Sequence, residues 1–168
     1  MLIPECIYPQ LAFIPVDING VGVLTTNRYW IDVSQSTEAW LLLLTSDVAG
    51  VPTITFQKAT SSAGANEVAA GSPDHQYHIE QTTNAALLTT DNMTKQSSID
   101  LAPASGSGRW GVYYFDLAGF AGIAATSQYT HLTVSLADPG AACIAFGVWM
   151  LKLAQANIGC ADVVAAAS

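Results

Sequence analysis

"PTITFQKATSSAGANE", Pro52 to Glu67, begins as a strand and ends in small polar residues. Ile54 and Phe56 alternate with Thr53, Thr55 and Gln57, the period-2 pattern of a strand with one face buried. From Ala59 onward the chain offers Thr60, Ser61, Ser62, Ala63 and Gly64, with no titratable group. A well-made strand feeding a loop bare of chemistry points to a scaffold, and the rest of the chain repeats the theme.

Further runs have the same strand character: "GVGVLTT", "RYWIDVS", "AWLLLLTSD", "YHIEQTT", "AALLTT", "SSIDL", "RWGVYYFDL", "THLTVSL" and "CIAFGVWMLKL". They follow one another at short, regular spacing, and turn signals separate several of them. Asp47-Val48-Ala49-Gly50 has hairpin length, and Asp138-Pro139-Gly140 reads as a turn that needs positive φ at its glycine. Leu41 to Leu44 and Trp110 to Phe115 are apolar on both faces, which predicts central strands covered on both sides. Helical signals are weak: Leu117 to Thr126 is the one short candidate, and Gly119 and Gly122 weaken it. The expected fold is therefore all-β, an antiparallel β-sandwich or jelly roll, with a barrel as the alternative.

Residues 1–20 carry Pro4, Pro9 and Pro15 among scattered apolar side chains and end at Asn19-Gly20, which predicts an extended N-terminal arm. Residues 21–156 would form the sandwich domain and residues 157–168 a C-terminal tail. Tyr8 and Phe13 would be exposed on such an arm and dock on a partner, or pack on the chain's own sheets. On the partner reading, deleting residues 1–16 should leave the domain folded and weaken attachment.

Composition narrows the function. Only 11% of the 168 residues are charged, against about 25% in an average soluble domain. The formal charge is −8 with five basic residues, which argues against nucleic acid and against anionic membrane as partners. The most apolar run, Ala141 to Ala154, is interrupted by Lys152 and is shorter than the ~20 residues of a spanning helix. The opening residues have no basic region before their apolar stretch, so no signal peptide is expected. Cys6, Cys143 and Cys160 lack metal-ligand spacing and read as reduced thiols, with Cys143 a small core residue.

The search for reactive groups finds little. His75 and His78 beside Asp74 would point to opposite faces of a strand, and His131 would face outward with Thr133 and Ser135, so surface histidines are expected rather than a metal site. Ser105 and Ser107 lack the strand–turn–helix context of a nucleophilic serine. The aspartates Asp32, Asp47, Asp91, Asp100 and Asp116, with Glu38, are spread singly and read mainly as turn residues. No catalytic residue, cofactor or metal is expected. Tyr29, Trp30, Trp40, Trp110 and Trp149 lie in apolar runs and are expected in the core, whereas Tyr129 lies outside them.

Gly20 to Leu24, Thr53 to Thr60 with Gly64, and Thr133 to Ala141 together carry a resemblance. Their order and spacing resemble a family of small auxiliary head proteins of tailed bacteriophages, over roughly two thirds of the chain. That family tends to carry a basic residue where this chain has Asn66-Glu67. The resemblance implies a jelly-roll decoration or cement protein on the outer surface of the virion head, made in the host cytoplasm. Its partners would be the major capsid protein and itself, as a homotrimer. Ser61, Ala63 and Gly64, being small, would then permit close approach between chains. A second reading is a virion surface or tail module that binds host carbohydrate through exposed aromatics such as Tyr129.

Overall fold

A computed structural model describes residues 7–20, 28–46, 52–81, 88–90, 99–100, 109–117 and 129–154. Every element among them is a strand, and every pairing is antiparallel. The strands are β1 (Ile7–Asp17), β2 (Ile31–Asp32), β3 (Ser36–Thr45), β4 (Thr53–Ala59), β5 (Val68–Ala69) and β6 (His75–Gln81). They continue with β7 (Leu88–Thr90), β8 (Ile99–Asp100), β9 (Arg109–Asp116), β10 (His131–Leu136) and β11 (Ile144–Leu153). One sheet has six strands in the order β1-β11-β3-β9-β6-β7; the other runs β2-β10-β4-β5, with β8 also on β4.

The two sheets bury one face each against the other. Alternation along β3 sends Ala39, Leu41 and Leu43 inward, and the register places Leu41 between Tyr113 and Trp149. From the second sheet, β4 contributes Ile54 and Phe56, and β10 contributes Leu132, Val134 and Leu136. Phe56 is the central contact: its ring centroid lies 4.9 Å from Phe115, 5.5 Å from Tyr113 and 6.3 Å from Trp149. Offset and edge-on ring pairs of this kind add to simple area burial.

The N-terminal segment is extended, as expected, but it is not a free arm. Residues Ile7 to Asp17 pair with β11 at the end of the six-stranded sheet, with irregularities between Leu11 and Val16. Ala12 and Phe13 are completely buried. The reason lies opposite them: Gly147 has no side chain, and a Cβ there would sit 2.8 Å from the Phe13 ring. A glycine inside a strand is a common mark of such close approach.

Two other expectations change. β3 and β4 do not pair as the hairpin expected around 47–50 requires, because they belong to different sheets; residues 47–50 themselves lie outside the described ones. The candidate helix at Leu117–Thr126 also lies outside, apart from the buried Leu117. The Asp138-Pro139-Gly140 turn is as read: Gly140 has φ 71° and donates its N–H to Asp138 Oδ1 at 2.8 Å. No helix among the described residues is long and apolar enough to cross a membrane.

Candidate interaction surfaces

Three surfaces stand out. The first is a fork at the β1 edge. Beside Phe13 the chain at Arg28 makes a single bridge to β1, and the Tyr29 N–H donates to the Ala12 carbonyl at 2.8 Å. The chain then leaves β1, and Ile31–Asp32 join β10 in the other sheet. Between the diverging segments runs an open groove of about 420 Å³, with Tyr8 to Leu11 on one wall and Tyr29 to Ile31 on the other. Tyr8 is 39% exposed, Tyr29 48% and Leu11 47%, while Ile31 forms the buried floor. None of the lining side chains is charged.

The second surface is the outer face of the six-stranded sheet. Antiparallel register puts Val148, Leu42 and Val112 in one row, with Met150, Trp40 and Tyr114 in the next. These side chains are all partly exposed, as are Leu44 and Phe146. Ile144, 56% exposed, extends the face at one end, and Leu11 on β1 extends it sideways. Among the described residues Asp17 stands beside Ile144 at that end, and more charge gathers at the opposite end. There Lys152 Nζ lies 2.5 Å from Glu38 Oε1, in the row that also holds Asp116. Next to that row, Asp74 Oδ2 accepts the Asp116 N–H at 2.8 Å, and the His75 ring stacks on Tyr114 with centroids 5.7 Å apart. Burial first, then the carboxylates of Glu38, Asp116 and Asp74, push the Tyr114 phenol above its ordinary value. The hydrogen bond that Lys152 donates to the Glu38 carboxylate does the same for the Lys152 ammonium.

The third surface is the outer face of the five-stranded sheet, and it is polar. Thr133 and Ser135 were expected to face solvent with His131; both are buried. The segment Arg28 to Trp30 crosses over them. Thr133 Oγ1 donates to the Tyr29 carbonyl at 2.9 Å, and the Arg28 guanidinium bonds Ser135 Oγ at 2.6 Å and the amide oxygen of Gln57. Arg28 also reaches Glu67 Oε2 at 2.8 Å and lies over the Trp30 ring, 5.1 Å from its centroid. It is a clamp: one buried cation holds two strands, an aromatic ring and the Ser61–Glu67 loop together.

That loop is not loose. Thr60 N–H donates to the Ala65 carbonyl at 2.9 Å, Gly64 N–H to the Ser61 carbonyl at 3.0 Å, and Ser61 Oγ accepts from Ala63 and Ala65. Gly64 (φ 75°) and Asn66 (φ 53°) supply the left-handed conformations. The absent side chain of Gly64 is filled from within the chain, since a Cβ there would lie 2.8 Å from Trp30 Nε1. Ala63 remains exposed at the tip and Ser61 is partly covered.

The residues singled out from sequence therefore separate. Tyr8 is exposed at the fork; Phe13, expected to be exposed on an arm, is core because Gly147 admits it. Ser61 and Gly64 serve the loop's own hydrogen bonds and its packing on Trp30. Tyr129 is partly buried, with Lys58 Nζ 4.9 Å from its ring centroid, so one face of it is occupied. Tyr29, read as core, is among the most exposed apolar side chains described, and Arg28 carried no sequence signal that it would be buried. Cys143 is a buried free thiol whose pKa is pushed up to about 11, by burial first and then by Asp17. Cys6, Cys160, Ser105, Ser107 and the His78 side chain lie outside the described residues. Among the described residues no group of three His, Cys, Asp or Glu side chains could hold a metal ion. No family model, no curated protein and no solved structure matches the chain.

Proposed function

We propose that this chain is a structural virion protein, a decoration protein that attaches to the outer surface of a bacteriophage head and bridges neighbouring capsid subunits. The reading joins the resemblance carried by Gly20 to Leu24, Thr53 to Thr60 with Gly64, and Thr133 to Ala141 to one structural observation. That observation is the uncharged fork at the β1 edge, where Tyr8 and Tyr29 stand exposed on a rigid scaffold. Exposed aromatic side chains are rigid, amphipathic anchors of the kind that dominate protein interfaces. On this reading the two packed sheets are a jelly-roll sandwich, and the major capsid protein supplies the surface that covers the fork. Each contact needs only modest strength, because a copy bridging two subunits makes its second contact intramolecularly.

The supporting test compares retention on purified head shells. Tyr8→Ser and Tyr29→Ser together should lower retention at least tenfold without lowering the thermal midpoint, since neither ring is in the core. Unchanged retention would remove the fork from the attachment surface. The second reading, a carbohydrate-binding module, is favoured by the same aromatic fork rather than by Tyr129. It predicts binding of a neutral glycan that the same double substitution abolishes.

A further inference from the structure

We infer that the Ser61–Glu67 loop is a positioning element for the fork, holding the Trp30 indole in the groove wall through Gly64 and Arg28. The inference deepens the attachment reading and rests on it for what the fork binds, though not for how Trp30 is held. Of the three aromatic rings lining the groove, Tyr8 and Tyr29 stand exposed, whereas Trp30 is partly covered. The backbone on either side of Trp30 is fixed by both sheets. The Tyr29 N–H donates to Ala12 on β1, Thr133 Oγ1 donates to the Tyr29 carbonyl, and Ile31 pairs with Leu132. The orientation of the indole is left to its side-chain neighbours.

Two contacts set it. One edge of the ring lies against Gly64, where an added Cβ would fall 2.8 Å from Nε1, 3.0 Å from Cε2 and 3.1 Å from Cζ2. The Arg28 guanidinium lies over the ring, 5.1 Å from its centroid, within reach of cation–π attraction. Arg28 is itself held by Ser135, Gln57 and Glu67, and its side chain is 7% exposed. Gly64 and Glu67 belong to one loop, closed by the Thr60–Ala65 and Ser61–Gly64 backbone bonds and by Asn66 Nδ2, which donates to Thr60 Oγ1 at 3.3 Å. No residue of that loop lines the groove. Trp30 is therefore shared, part of it in the groove wall and part packed on the loop, so the loop acts on the fork through it. A ring fixed before its partner arrives loses no rotamer freedom on binding, which is how preorganisation raises affinity.

Trp30 can be followed with no partner present. The full chain labelled with 5-fluorotryptophan gives one fluorine NMR resonance for each of its four tryptophans, and the one missing in Trp30→Phe belongs to Trp30. Gly64→Ala and, separately, Glu67→Ala should move that resonance and leave the other three in place, while Ala63→Ser at the exposed tip moves none. Should Gly64→Ala fail to fold, Glu67→Ala, which removes a partly exposed carboxylate, carries the test alone. A Trp30 resonance unmoved in the folded variants would overturn the inference. Retention on purified head shells then reads the consequence. Glu67→Ala should lower it about threefold, on the scale of one cation–π contact, and should lower it no further once Trp30→Ala is in place. Equal losses with and without Trp30 would also overturn the inference, because the loop would then touch the shell directly. A native chain that shells do not retain contradicts the attachment reading instead, and the Trp30 resonance alone decides how the indole is held.

Discussion

At the scale of single residues, absent side chains and buried ones explain more than charged ones do. Gly64 combines φ 75° with an indole where its Cβ would be. Gly64→Ala therefore meets two costs, about 1–2 kcal/mol for a left-handed alanine and about 1–3 kcal/mol for displacing a packed ring. Urea denaturation should show a loss of about 2 kcal/mol or more, and Trp30→Ala in the same chain should relieve the steric share. Cys143 gives a pH signature. Its folded pKa of about 11 lies above the ~8.5 of an unfolded thiol, so the native state holds the proton more tightly. The stability this contributes is complete below about pH 8.5 and falls away as the pH rises toward 11. Cys143→Ala should flatten that alkaline fall, and native Cys143 should resist thiol reagents at pH 8. A slope identical in the variant would show that other groups cause it.

At the scale of elements, the strands were legible and their partners were not. Period-2 alternation at Thr53 to Gln57 and the apolar run Leu41 to Leu44 located β4 and β3, because burial of one or both faces writes itself into composition. The N-terminal strand was hidden by Pro9 and Pro15. Prolines are tolerated on a sheet edge, where a missing N–H faces no partner and blunts pairing with other chains, so the same residues suit an edge strand as well as a loose arm. What would have distinguished them is Gly147, whose role depends on a contact 134 residues away in sequence. The consequence reverses an expectation. Phe13→Ala should cost about 3–5 kcal/mol. Deleting residues 1–16 removes Ala12 and Phe13 from the core and β1 from β11, which should leave the chain unfolded by circular dichroism. A cooperative melt retained by the truncated chain would show that β1 is dispensable. The turn before β11 behaves more simply: a Cβ at Gly140 meets nothing within 4 Å, so Gly140→Val should cost only its left-handed backbone, about 1–2 kcal/mol.

Across the whole molecule, the division of labour is between a polar sheet sealed by Arg28 and an apolar sheet left partly open. Arg28→Ala tests the first half. The Gln57 and Ser135 side chains, 3.0 Å apart, can still pair with each other, and Glu67 retains access to water. The loss should therefore stay near 1–3 kcal/mol, with protease cleavage in the Ser61–Glu67 loop as its local sign. Uncleaved loop in a folded variant would mean that Arg28 is not its clamp. Surfaces were the least legible part of the sequence. Tyr29 and Trp30 look like core residues in a linear reading, since an exposed aromatic at a fork between sheets has the same neighbours in sequence as a buried one. Chemistry was legible only as scarcity. Co-sedimentation of the purified chain with emptied bacteriophage heads that lack it tests the proposed attachment most directly. The account predicts saturable binding at a fixed ratio to the capsid subunit; heads that sediment without the chain at any concentration would contradict it.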